Sequence, residues 1–286
     1  MGRLDMPTFP LPDISLEEKV VIMTGGDRGL GFSMAKAMAE RGARLVIASI
    51  DGEGCLRASE ELNAIGGSGR VLAVGTDILD LEQCRNAVSQ ALHKFGRCDV
   101  LYNNARRLMR GPGLPAHGNS LPFFETDPDI YRQTVEVNVI GTFFMARAAV
   151  EHFRHVGSGK IINVSTSRRN FSGPRNSPYG VTKAAVESET LIWARDLDGT
   201  GVTVNALLPG GSADADPNRP KDPNKKLLPV DIMDPLAVWL ASGQSDGANG
   251  CRFVGKLWNP NIGPDEAAEG AREEPVFIEQ QEPTLI

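Results

Sequence analysis

The strongest constraint on this 286-residue chain is the alternation of short apolar runs with longer amphipathic stretches. Residues 19–24 (KVVIMT), 43–49 (ARLVIAS), 70–76 (RVLAVGT), 99–103 (DVLYN), 160–165 (KIINVS) and 202–207 (VTVNAL) read as near-continuous apolar runs with polar residues mostly at their ends. That is the pattern of a strand covered on both faces; a half-wetted strand would alternate. Helical periodicity is expected between them, near 29–41, 53–64, 81–95, 129–155 and 178–197. Gly42 stands where a helix C′ residue is wanted, and Thr126 with Asp129 three residues on predicts the N-cap of the fourth helix. Strands alternating with helices predict an α/β fold, a doubly wound parallel sheet with helices on both faces.

Two segments break the alternation inside the expected single domain at 15–262. Residues 106–128 are rich in Gly and Pro and read as a surface excursion. Residues 212–230 are polar and proline-punctuated, and a long loop of that kind in a compact domain is usually functional. A short N-terminal arm (1–14) precedes the domain, and an acidic tail (263–286) follows it. The tail carries the whole net charge of −6: residues 264–286 hold seven acidic residues and one Arg. Self-repulsion predicts that 264–275 is loosely held. Val276, Phe277, Ile278, Leu285 and Ile286 are apolar enough to dock near the 212–230 loop or on a neighbouring subunit, where Lys221, Lys225 and Lys226 would meet the acidic stretch.

A neutral body lacks the basic excess of a nucleic-acid binder. No apolar run approaches the roughly 18–20 residues that span a bilayer, and the first residues show no signal-peptide pattern, so export is not expected. Cys55, Cys84, Cys98 and Cys251 form no CxxC and no grouping with histidine. They read as free thiols in a reducing cytoplasm, with neither a disulfide framework nor a metal site.

Two motifs carry chemistry. In Thr24-Gly25-Gly26-Asp27-Arg28-Gly29-Leu30-Gly31, between the first strand and first helix, the glycines permit a tight turn and a close approach of backbone to a pyrophosphate. The helix N-terminus adds free N–H donors and a positive dipole end. In Tyr179-Gly180-Val181-Thr182-Lys183, the phenol and ammonium share one helical face. A free tyrosine has a pKa of about 10; a nearby cation favours the phenolate and makes it a usable acid–base.

Thr166 lies thirteen residues before Tyr179, flanked by Ser165 and Ser167; Asn103-Asn104-Ala105 ends the fourth expected strand, and Asn138 lies in the next helix. Together with Thr76-Asp77-Ile78 and the NALLPGG run at 205–211, these motifs resemble, in order, those of the short-chain dehydrogenase/reductase family over roughly residues 15–262. The resemblance implies a Rossmann-type domain binding a nicotinamide dinucleotide and an oxidoreductase acting on a secondary alcohol or ketone. Tyr179 would exchange the proton, Lys183 would support it and bond the nicotinamide ribose, the hydroxyl at 166 would orient the carbonyl, and Asn138 would hold a linking water. Asp77 and Ile78 would meet the adenine, and Asn104, Ala105, Pro209 and Gly210 would line the cofactor. Three departures stand out. The family's usual Ser is Thr166, with Ser165 or Ser167 as alternatives. Its NNAG is NNAR, ending in Arg106. Asp214 stands where a hydroxyl residue usually follows the PGG turn, with Ser212 as its candidate substitute.

An acidic residue at the end of the second strand would bond a ribose 2′-OH and select NAD. This chain has Ser49 there, Asp51 two residues on, and Arg28 placed to meet a 2′-phosphate, which favours NADP over NAD. Arg106, Arg107, Arg168 and Arg169 follow pocket-lining segments; they read either as solvated loop residues or as partners for an anionic ketone. Apolar residues on more than one stripe of 129–155 suggest a subunit interface and a homodimer or homotetramer. Two rival functions share the scaffold: an epimerase-type internal redox cycle, and a nucleotide-responsive binding protein.

Overall fold

The computed structural model describes residues 9–108, 121–215 and 226–277. Seven parallel strands and one antiparallel edge strand form a sheet in the order β3-β2-β1-β4-β5-β6-β7-β8. The strands are β1 (Val20–Thr24), β2 (Arg44–Ser49), β3 (Val71–Gly75), β4 (Val100–Asn103), β5 (Gly159–Val164), β6 (Val202–Leu208), β7 (Arg252–Val254) and β8 (Arg272–Glu273). The order reverses between β1 and β4, so the loops leaving these two strands diverge and open a crevice at their C-terminal ends.

The helices are α1 (Gly29–Glu40), α2 (Gly52–Gly66), α3 (Leu81–Phe95), α4 (Pro128–Val135), α5 (Gly141–Val156), α6 (Arg169–Ser172), α7 (Tyr179–Asp196), α8 (Asp234–Ala241) and α9 (Pro264–Gly270). The apolar runs are continuous because two cores share each strand. Val21, Met23, Leu45 and Ile47 join α1, α2 and α8 on one face. Val20, Ile22, Val46 and Ala48 join α3 and α5 on the other. The resulting architecture is the expected Rossmann-type sheet covered on both faces.

The stretch expected as one helix at 129–155 is interrupted. Glu136–Ile140 forms a wider π turn in which the Gly141 N–H reaches back to Glu136 O. The N-cap is Asp127 rather than Thr126: its carboxylate accepts from the Asp129 and Ile130 amides at 2.8 and 3.1 Å. A carboxylate directly before Pro128 satisfies two amides, which the Thr126 hydroxyl does not.

The expectation of a loose 264–275 segment is corrected. This stretch forms α9 and β8, and β8 pairs with β7. Ala267, Ala268 and Ala271 are buried, and Trp239 Nε1 donates to Asp265 at 2.7 Å. Small buried side chains and a specific partner for a carboxylate outweigh diffuse repulsion, which salt screens anyway. The docking expected of 276–286 lies largely outside the described residues, as do Lys221 and Lys225. Val276 is half-buried and Phe277 exposed. All four cysteines are buried free thiols. No helix among the described residues is long and apolar enough to cross a membrane.

Candidate active site

The glycine turn between β1 and α1 is built for close approach. A Cβ on Gly31 would lie 2.3 Å from Gly25 O and 2.4 Å from Asn104 Nδ2, and one on Gly25 would lie 3.0 Å from Ala105 Cα. Gly25 and Gly29 have φ of 60° and 58°, left-handed values that favour glycine. Asn104 and Ala105 are held there because Thr24 Oγ1 accepts from both their amides at 3.0 Å, while Asn104 Nδ2 donates to Thr24 O and Gly25 O. Asp51, Asp80 and Asp127 cap α2, α3 and α4 with their side chains, but Arg28 before α1 caps nothing. The first amides of α1 therefore lack a side-chain acceptor, as a helix end that receives a phosphate should. These residues fit a dinucleotide.

Around that turn, Leu30 and Asp27 are shielded, whereas Arg28 extends outward, 3.3 Å from Asp27 and 3.5 Å from Asp51. Ser49 is buried at the end of β2. Asp51 is committed to α2, accepting from the Gly54 amide at 2.8 Å. Asp77 turns back on its own loop, accepting from the Leu79 amide. Ile78 is buried against Gly141, where a Cβ would meet it at 2.6 Å. Pro209 O accepts from Lys256 N, Gly210 follows with φ of 88°, and Ser212 is exposed, its carbonyl taken by the Leu228 amide.

The second motif converges on the same edge of the sheet. Tyr179 opens α7 and is 7% exposed; Lys183, one turn on, is 2% exposed and donates from Nζ to Val164 O at 2.6 Å. Burial pushes the Lys183 ammonium down to about 7, with the Arg106 guanidinium pushing the same way and Glu187 and Glu189 opposing. Thr166 is buried just beyond β5 and its hydroxyl accepts from Asn170 Nδ2 at 2.6 Å, which leaves the hydroxyl hydrogen free to donate. Ser165 is buried on the Glu187 side, and Ser167 is half-buried. Asn138 is fully buried in the π turn: Oδ1 accepts from Arg107 N at 2.7 Å, and Nδ2 donates to Arg107 O and Thr182 Oγ1, both at 3.1 Å.

Of the four loop arginines, Arg106 donates from Nη1 to the Tyr179 hydroxyl at 3.3 Å. Arg168 turns away to the C-terminal segment, pairing with Glu273 at 3.7 Å and donating to the Glu274 and Pro275 carbonyls.

Sequence reasoning missed the group beneath this loop. Arg252 is 1% exposed. It donates to the Glu187 carboxylate, to Glu273 at 3.0 Å and to Thr166 O at 2.8 Å, and lies 5.6 Å from the Phe171 ring centroid. It thereby ties α7, β8, α6 and the Thr166 backbone together. The only available signal was a lone Arg in the apolar stretch of β7.

The short chain dehydrogenase family profile matches residues 19–225. The 2-dehydro-3-deoxy-D-gluconate 5-dehydrogenase of Escherichia coli is 32% identical, over 84% of this chain and 94% of its own length. L-rhamnose 1-dehydrogenase (NAD(P)(+)) of Azotobacter vinelandii is 36% identical, over 68% of this chain and 73% of its own. Among solved structures, the 3-ketoacyl-(acyl-carrier-protein) reductase of Brucella melitensis, complexed with NADH, superposes with a TM-score of 0.73 at 30% identity, covering 83% of this chain and 96% of that one. Order of strands, glycine turn and matched length agree, and the chain belongs to the short-chain dehydrogenase/reductase family of NAD(P)-dependent oxidoreductases.

Proposed function

We propose that the protein is an NADP-dependent oxidoreductase that interconverts a secondary alcohol and its ketone, with Tyr179 as general acid/base. The observation that carries this reading is the gathering of Tyr179, Lys183, Thr166 and Asn138 beside the glycine turn, at the C-terminal edge of one sheet. A bound nicotinamide supplies or accepts the hydride. Gly25, Asp27, Arg28, Gly29, Leu30 and Gly31 would hold the pyrophosphate and its surroundings, Asp77 and Ile78 the adenine, and Asn104, Ala105, Pro209, Gly210 and Ser212 the nicotinamide side.

In the reducing direction Tyr179 gives its phenolic proton to the carbonyl oxygen while Thr166 donates a hydrogen bond to the same oxygen. The burial of both residues keeps bulk water from competing for that oxygen. Lys183, one turn on from Tyr179 along α7, would support the phenolate as a cation and bond the nicotinamide ribose. Asn138 fixes the backbone at Arg107 through its side-chain amide and would hold the water that links the site to solvent.

NADP is favoured because Arg28 is an outward guanidinium, Ser49 is uncharged, and the Asp51 carboxylate is occupied by α2 and Arg28. The assembly is a homodimer or homotetramer, supported by apolar side chains left open on α7 (Val181, Ile192) and on the π turn and α5 (Ile140, Phe143). Four buried, unpaired thiols support a cytoplasmic setting.

A panel of ketones and secondary alcohols, followed by the absorbance of the reduced cofactor, tests this. Tyr179→Phe keeps the ring and removes the proton, so turnover falls by about 10²–10⁴-fold with cofactor still bound. Near-normal turnover in that variant rules the mechanism out.

A further inference from the structure

Arg106 occupies the position that the motif otherwise gives to a bare glycine, and its placement is built from both sides. Upstream, Thr24 Oγ1 holds the amides of Asn104 and Ala105. Downstream, Asn138 grips both the amide and the carbonyl of Arg107. Residue 106 is suspended between these two stations, and its guanidinium meets the Tyr179 hydroxyl at 3.3 Å.

Three neighbouring cations are committed elsewhere, while Arg107 is half-buried, its Nε shielded without a partner and therefore not presented to the pocket mouth as the exposed Arg106 is. Lys183 donates into the protein at Val164 O. Arg252 is sealed between Glu187 and Glu273. Arg168 faces the C-terminal segment. Among the described residues Arg106 has no carboxylate partner, and it is exposed. Its guanidinium is thus exposed while touching the hydroxyl to which the reading above gives the proton transfer.

Resting on the reading of Tyr179 given above, we propose that Arg106 selects substrates carrying a carboxylate next to, or one carbon removed from, the reacting carbon, that is, 2- or 3-oxo acids and the corresponding hydroxy acids. A substrate oxygen hydrogen-bonded to the Tyr179 hydroxyl lies within a few ångströms of Arg106 Nη1, because both contact the same phenol. A carboxylate one or two bonds further along meets the guanidinium, whose parallel N–H groups match it in bidentate fashion. The same charge lowers the proton affinity of Lys183 in the empty pocket, so an incoming anion also relieves a like-charge contact. The redox balance is that of the parent reaction: two electrons arrive as hydride on the carbonyl carbon, the proton comes from Tyr179, and the carboxylate is unchanged.

A cofactor phosphate is the other anion Arg106 could meet, and the experiment separates the two. The wild type, Arg106→Gln and Arg106→Lys are compared on matched pairs, 2-oxobutanoate against its methyl ester and 3-oxobutanoate against its ethyl ester. The binding of NADPH is titrated by fluorescence, and the binding of oxamate and ethyl oxamate to the enzyme–NADPH complex is measured by calorimetry. The proposal expects the wild type to favour acid over ester. It expects Arg106→Gln to lower that ratio of kcat/KM by roughly 10–100-fold, Arg106→Lys to retain part of it, and NADPH affinity to be preserved. Oxamate should bind the wild-type complex and not the Gln variant.

If NADPH affinity falls while the acid/ester ratio holds, Arg106 serves the cofactor and the proposal is overturned. Equal affinity of the wild type for oxamate and ethyl oxamate, or binding of neither, also overturns it. Failure of the oxidoreductase reading looks different: no ketone is turned over, while the calorimetry still reports directly on the anion site.

Discussion

Replacing Arg252 by Met probes the buried network that holds the Thr166 loop. Arg252 and Glu187 have side chains 1% and 4% exposed, and the guanidinium also binds Glu273 and Thr166 O. Methionine fills much of the volume but leaves Glu187 buried without its counter-charge. Breaking one side of such a pair costs about 3–5 kcal/mol, and at about 2–4 °C per kcal/mol for domains near this size the melting temperature falls by roughly 6–20 °C.

The loss depends on pH. Burial already pushes the Glu187 carboxyl up, and Arg252 is the strongest pull downward. Without Arg252 the native state binds a proton that the unfolded chain, with its ordinary carboxyl, releases. Stability from that proton is full below about pH 4.3 and is lost as pH rises through the elevated native value. Urea unfolding from pH 4.5 to 8.5 should therefore show a deficit that grows with pH. Adding Glu187→Gln removes the stranded charge and recovers much of the loss at the alkaline end. A deficit below about 1 kcal/mol, or a double variant less stable than Arg252→Met alone at pH 8, refutes the reasoning.

Gly31→Val places a branched side chain where even a Cβ lies 2.3 Å from Gly25 O; cofactor affinity, measured by fluorescence titration, should drop by more than tenfold. Arg28→Ala should weaken NADP more than NAD, since only NADP offers a 2′-phosphate to the guanidinium; equal losses would assign the choice to Asp51 instead. Lys183 titrates near 7 in the fold against 10.5 ordinarily, so the unfolded chain holds a proton across that window that the native state lacks, and the native state is penalised progressively as pH falls. Lys183→Met should accordingly raise the melting temperature most at or below pH 7, with the gain vanishing near pH 10.5 by differential scanning fluorimetry.

What was legible in the sequence follows from how each feature is encoded. β1 to β6 announce themselves because two cores share each of these strands, so apolar residues fall on both faces and the few polar positions, such as Asn163 and Asn205, do not produce an alternating pattern. The glycine turn was legible because its left-handed φ values and close contacts demand glycine at fixed spacing, and the placement of Tyr179 and Lys183 one turn apart on α7 was legible from their four-residue spacing. By contrast, β7 is three residues long and α8 is buried on all sides, so neither shows a period.

Charge counting failed at α9 and β8. Net repulsion runs over the whole tail, but stability there comes from three buried alanines, from Trp239 on Asp265, and from Arg252 and Arg168 on Glu273. The π turn at Asn138 was hidden for a related reason. Its wider register follows from tertiary packing around Asn138 and Thr182, which no local pattern encodes. Arg252 was invisible as a site residue because its four partners come from β8, α6, α7 and the Thr166 loop.

The central claim is direct hydride transfer to a carbonyl with Tyr179 supplying the proton. The most direct test follows deuterium from NADPH deuterated at both nicotinamide C4 positions into product, using a ketone turned over by the wild type. The account predicts one deuterium on the carbinol carbon per NADPH consumed, none drawn from solvent at that carbon, and a rate lowered by about 10²-fold or more in Tyr179→Phe. Solvent hydrogen at the carbinol carbon, or product formed without net oxidation of NADPH, would contradict it.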